Sequence, residues 1–129
     1  MDTFWEAVVS VLAGKQGLWA VYAFGSRVRG DFLPQSDVDL AVLGETPIDL
    51  DALLSWQGEL ERALQTPVDL VDLRRVDAFM ALEILKGCRL WAKDPVAADE
   101  FELYVLRRAG DLAFWERLRR EQVVWGKKP

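Results

Sequence analysis

Asp37 and Asp39 stand one residue apart, and in an extended segment they project from the same face while Val38 and Leu40 take the other. Two carboxylates held this close raise each other's pKa unless a cation lies between them. Mg²⁺ suits such a pair, because it takes hard oxygen ligands and keeps positions open for substrate phosphates. Upstream, Gly25-Ser26 supplies a complementary half. Glycine permits close backbone approach, and exposed amides with a serine hydroxyl can hold phosphate oxygens. Arg27 and Arg29 add positive charge nearby. A third carboxylate has two candidates in the run Pro67 to Asp72. By strand alternation Asp69 groups with Val71 and Leu73, whereas Asp72 groups with Val68 and Leu70, so one of the two is expected at the metal.

What the chain lacks narrows the chemistry. It has no histidine, which excludes Ser-His-Asp and Cys-His nucleophilic machinery and any histidine general base. Its single cysteine, Cys88, cannot close an intramolecular disulfide and is expected to be a small core residue. Carboxylates or metals must carry the reaction. The net charge of −5 makes nucleic acid a poor main partner. No stretch reaches the roughly 18 to 20 apolar residues of a membrane span, and the N-terminus lacks a basic start, so a cytoplasmic protein is expected. With 129 residues, 51% of them apolar, one domain over residues 1–129 is expected, with room for a core but not for a second, substrate-holding domain.

The elements that must position these groups follow from periodicity. Phe4, Val8, Val11 and Leu12 predict a helix from Thr3 to about Ala13, with Thr3 as N-cap and Gly14 as stop. Leu18 to Phe24 is a continuous apolar run that suits a buried strand, followed by a turn or short helix. Asp31 to Ser36 reads as loop, and Asp37 to Leu43 as the second strand. A helix from about Asp49 to Gln65 is expected to bury Leu50, Leu53, Leu54, Leu60 and Leu64. A third strand covers Val68 to Leu73. A helix from about Asp77 to Lys86 should turn Phe79, Leu82 and Leu85 inward, and Cys88 to Trp91 form a short edge strand. Residues 97–124 are helical in pattern. This alternation predicts an α+β fold, a mixed sheet packed with helices and ending in a C-terminal helical region.

Trp5, Trp19, Trp56 and Trp91 sit in apolar patterns and are assigned to the core. The C-terminal stretch places Phe101, Tyr104, Val105, Leu112, Trp115 and Leu118 at roughly helical spacing beside Arg107, Arg108, Arg117, Arg119 and Arg120. Such an apolar and basic face is a candidate partner surface, with Trp115 as its anchor.

Gly25-Ser26, ten residues, then Asp37-Val38-Asp39 resembles the signature of the nucleotidyltransferase superfamily that includes DNA polymerase beta, poly(A) polymerases and aminoglycoside nucleotidyltransferases. The likeness is strongest over residues 21–73, with a catalytic core at about 18–73 and helices at about 97–125. Length and the wording Ser36-Asp37-Val38-Asp39-Leu40 are similar to the minimal nucleotidyltransferases that act as antitoxins to HEPN-domain ribonuclease toxins. The resemblance implies a nucleotidyltransferase fold, two Mg²⁺ ions on Asp37 and Asp39, and Asp69 completing the catalytic metal site. It implies nucleotide contacts from Gly25, Ser26, Arg27, Arg29 and Ser36. It also implies transfer of AMP from ATP to a tyrosine of a HEPN-type toxin, within a homo- or hetero-oligomer. Other acceptors in the same superfamily are small molecules such as aminoglycosides, and a non-catalytic antitoxin would neutralise its toxin by covering it.

Overall fold

The computed structural model describes residues 3–30 and 36–127, with side chains through residue 111 and at residue 117. The chain runs α1 (Thr3–Leu12), β1 (Leu18–Phe24), α2 (Ser26–Arg29), β2 (Val38–Gly44), α3 (Leu50–Leu64), β3 (Val68–Asp72), α4 (Ala78–Leu85), β4 (Cys88–Ala92) and α5 (Pro95–Lys127). The strands form a mixed sheet in the order β3-β2-β1-β4. β1 lies antiparallel to β2 and β4, whereas β2 and β3 are parallel and joined through α3. Parallel neighbours require such a crossover, which here also covers one sheet face.

Alternation divides the core into two layers. Val21, Ala23, Leu40, Val42, Val68 and Leu70 point toward α1 and α3, meeting Val8, Leu12 and Leu60. Tyr22, Ala41, Leu43 and Leu73 point the other way, toward α4 and α5, and meet Ala81, Ile84, Ala98 and Val105. An irregularity between Leu18 and Ala20 resets the phase of β1. β3 stands at the sheet's edge, and its outward amides at Val68 and Leu70 donate to Glu61 Oε2 (2.9 Å) and Gln57 Oε1 (3.3 Å) of α3.

That arrangement explains where the helix faces depart from expectation. On α3, Leu53, Trp56, Leu60 and Leu64 turn to the core, but Leu50 and Leu54 are exposed at 59% and 65%. They share the helix side that sends Gln57 and Glu61 to the edge strand, and beyond that edge nothing is left to cover them. On α4 the inward side is Ala78, Ala81 and Ile84, while Phe79 is half exposed. Small side chains let this helix approach the sheet closely, which a phenylalanine would prevent. Cys88 is exposed rather than core, because β4 is the other edge strand and becomes buried only at Leu90. Trp5, Trp19, Trp56 and Trp91 are partly buried against the two layers.

α5 starts two residues earlier than its periodicity suggests. Asp94 Oδ1 accepts from the Ala97 amide at 3.0 Å, and Pro95 fills the first helical position, where no N–H is needed. The helix is pinned to the sheet by polar groups as well as by Ala98, Val105 and Ala109. The buried Tyr22 hydroxyl donates to Glu102 Oε2 at 2.7 Å, and Arg89 donates to Glu102 and Asp99, each at 2.8 Å. Burial, then the Glu102 acceptor, pushes the Tyr22 hydroxyl far above the ordinary tyrosine range, so it remains a donor at any working pH. The expected anchors Leu112, Trp115, Leu118, Arg119 and Arg120 have side chains outside the described residues, as does the loop segment 31–35.

Asp72 is the buried charge of the sheet, 2% exposed. Its Oδ2 accepts from the Ile48 amide at 2.7 Å, its Oδ1 from the Arg74 amide at 2.9 Å, and Arg75 lies 3.4 Å away. These bonds hold the β2–α3 loop against the end of β3. We expect Asp72→Ala to lower unfolding free energy by about 2 to 4 kcal/mol, since it strands a buried amide. Urea denaturation measures this, and a loss below about 0.5 kcal/mol would contradict the structural role.

Candidate active site

Three neighbouring strands bring the chemical groups to one end of the sheet. Phe24, at the end of β1, lies opposite Asp39 on β2, and Asp39 is in register with Asp69 on β3. Both aspartates occupy the sheet face that α4 and α5 cover further along, at positions these helices leave open. Asp37 is exposed just before β2, Asp39 half-buried and Asp69 exposed. Asp72 falls on the opposite phase and is spent in the loop network.

After Phe24 the chain turns sharply into α2. Gly25 has φ 81° and ψ −160°, a conformation that side chains resist. A Cβ built there would collide with Asp39 Oδ2. The glycine therefore serves both the turn and the approach of the β1–α2 corner to the Asp39 carboxylate. The amides of Val28, Arg29 and Gly30 bond back to Gly25 and Ser26 within the turn. Gly87, read from sequence only as a helix stop, makes a second close approach, since a Cβ there would overlap the backbone of Ala23 and Phe24. Glycine at a helix end is expected for capping alone, so the sequence carried no separate signal for this contact.

The arginines are used differently. Arg27 donates to the Ser36 carbonyl from Nε at 3.2 Å and from Nη2 at 3.0 Å, and its guanidinium lies 5.2 Å over the Phe4 ring. It ties the start of β2 to α2 and α1, a positioning task that residue type alone did not reveal. Phe4 belongs to this arrangement and was not foreseen. Arg29 lies close enough to Asp39 to favour its ionised form.

Electrostatics single out Asp39. Its carboxyl is held above the usual range, first by burial, then by Asp69, then by Asp37, with Arg29 opposing. Negative charge is thus concentrated at this point, and Arg29 offsets it only in part. Among the described residues, no three Asp, Glu, Cys or His side chains come together closely enough to hold a metal ion by themselves. The donor set is an open cluster of hard oxygens with positive charge wanted at its centre, which fits Mg²⁺ completed by phosphate oxygens.

Residues 6–96 match the family described as "Polymerase beta, Nucleotidyltransferase". The chain belongs to this nucleotidyltransferase family. Among relatives, the protein adenylyltransferase MntA of Shewanella oneidensis is 36% identical over 75 residues, 57% of this chain and 54% of that protein. The nucleotidyltransferase thus spans about half the length of the curated relative it matches. A crystal structure of a toxin–antitoxin with AMP-PNP aligns with a TM-score of 0.78 at 24% identity, covering 93% of this chain and 98% of the other. A tri-AMPylated Shewanella oneidensis HEPN toxin in complex with MNT antitoxin gives 0.73 at 23%, with 94% and 96% covered. At these identities the structural likeness establishes the fold, α+β with a mixed sheet.

Because the Asp39 pKa is raised on folding, its penalty is absent below the ordinary carboxylate range and complete above its own raised value. Asp39→Asn should therefore melt higher than the parent at neutral pH, and the gap should close as the pH falls through that range. Thermal melts across pH check this, and an equal or lower neutral-pH Tm for the variant contradicts it. Gly25→Ala should lose Mg-ATP binding together with stability, by at least about 1 kcal/mol from the strained φ alone. Isothermal titration and denaturation measure the two losses.

Proposed function

We propose that this nucleotidyltransferase is the antitoxin of a toxin–antitoxin pair, transferring AMP from ATP to a tyrosine on a HEPN-type ribonuclease and so neutralising it. The observation that carries the reading is the register of Asp39 with Asp69 beside a Gly25 that abuts the Asp39 carboxylate. The name of the MntA relative and the tri-AMPylated toxin bound to an MNT antitoxin support the acceptor class.

In this reading Asp37 and Asp39 would hold two Mg²⁺ ions, with Asp69 completing the metal site. The bound metal supplies charge neutralisation on the triphosphate and acidifies the attacking hydroxyl. Gly25 and Ser26 receive phosphate oxygens, with Ser36 and the cationic side of Arg29 nearby, and Arg27 keeps the corner and β2 together. The acceptor oxygen bonds to the α-phosphorus, its proton is released, and the bond to the bridging oxygen breaks, with pyrophosphate leaving on the electron pair. Ionised carboxylates are needed for metal binding, so ion and nucleotide should bind more tightly as the pH rises through the Asp39 range. Use of ATP and a free, exposed Cys88 suit a cytoplasmic setting. No helix among the described residues is long and apolar enough to cross a membrane.

Labelled ATP, Mg²⁺ and a HEPN-domain toxin from the same organism provide the test. The parent should label that protein, Asp69→Ala should lower the rate by at least about 100-fold, and Asp72→Asn should label it at a temperature where it stays folded. Labelling by Asp69→Ala within a few-fold of the parent would remove Asp69 from the site.

A further inference from the structure

A groove of about 530 Å³ opens on the sheet face that carries Asp39 and Asp69, between the end of β3, α4 and α5. Its floor is Leu73, which follows β3 and extends the ladder by donating its amide to Val42 at 2.9 Å. Leu73 lies four residues beyond Asp69 in the same alternation phase, so the groove begins about 13 Å from the reacting groups along one strand. Its wall is formed by Phe101, Tyr104 and Arg108 of α5, and Arg74 closes one side.

Charge and chemistry at this groove differ from the rest of the surface. The chain carries −5 overall, yet among the described residues the charged ones lining the groove are both arginines. Arg74 is preset, with its guanidinium 5.2 Å from the Trp19 ring and 4.8 Å from Phe101, and its Nε donating to the Gly44 carbonyl at 2.7 Å. Arg108 donates to the Tyr104 hydroxyl at 3.2 Å, and Tyr104 itself is 53% exposed. Asp77, between the lining residues Val76 and Ala78, caps α4 by accepting from the Met80 amide at 2.8 Å. Arginine and tyrosine over an apolar floor form the composition of interface anchors, and guanidinium pairs best with carboxylate.

We propose that this groove docks an extended, acidic segment of the acceptor polypeptide. An apolar side chain of that segment rests over Leu73 against the paired rings of Phe101 and Tyr104, whose centroids are 5.8 Å apart, and its carboxylates meet Arg108 and Arg74. About four extended residues bridge the groove and the hydroxyl that receives AMP. The proposal rests on the reading that the acceptor is a protein. It adds where that protein is held and what sequence character is held there.

Titration of the HEPN-domain protein onto the parent, Arg108→Lys, Arg108→Glu and Tyr104→Ala tests it, with transfer kinetics on the same set. Arg108→Glu is expected to weaken partner binding and raise the acceptor KM at least about tenfold, with the KM for ATP unchanged. Arg108→Lys should fall between it and the parent, and raising ionic strength should narrow the differences. Circular dichroism and unchanged Tm show that these surface changes leave the fold intact. A parallel rise in the KM for ATP would overturn the proposal by making the groove a nucleotide subsite, as would unaltered partner affinity in both Arg108→Glu and Tyr104→Ala. If the parent binds the partner without transferring AMP, the transferase reading fails, and the binding titrations still decide the groove.

Discussion

The fold is organised around a repulsion. Register between parallel strands sets Asp39 beside Asp69, with Asp37 close, and the protein shields the middle carboxylate from water instead of separating the three. Such an arrangement costs stability, and a cation between the carboxylates would relieve it. Much else serves to hold it. The α3 crossover makes β2 and β3 parallel and fixes their register, Gly25 makes room for the Asp39 carboxylate, and Arg27 fastens the start of β2.

Division of labour among like residues follows from position on the sheet. Asp69 and Asp72 are three residues apart and chemically identical, yet one faces the open site and the other is enclosed by the Ile48 and Arg74 amides. Arg27 and Arg74 are likewise drawn into structure, each accepting a ring beneath its guanidinium while bonding a carbonyl. Arg29 and Arg108 remain at exposed positions.

Strands were the most legible part of the sequence. β1 runs from Leu18 to Phe24 as its apolar run indicates, and period-two alternation places Asp69 and Asp72 on opposite faces without further information. Helix faces were less legible, because which apolar residues turn inward depends on what the sheet offers. Leu50 and Leu54 lie on the side of α3 where the sheet ends, and α4 approaches closely enough that alanines displace Phe79 from the interface. Cys88 followed the same logic, its exposure coming from the edge position of β4 and not from its apolar character. At the site, the residue types and their spacing pointed to metal and phosphate chemistry, but the steric need for Gly25, the close approach of Gly87 and the Phe4–Arg27–Ser36 tie arise only when distant segments meet.

The side chains of Gln57 and Glu61 on the outer amides of β3 carry one more implication. With these two donors engaged, the border beside Asp69 is a poor template for strand addition. If the chain acts on another polypeptide, as proposed, that polypeptide is then held at this end by side chains, which release more readily than an added strand.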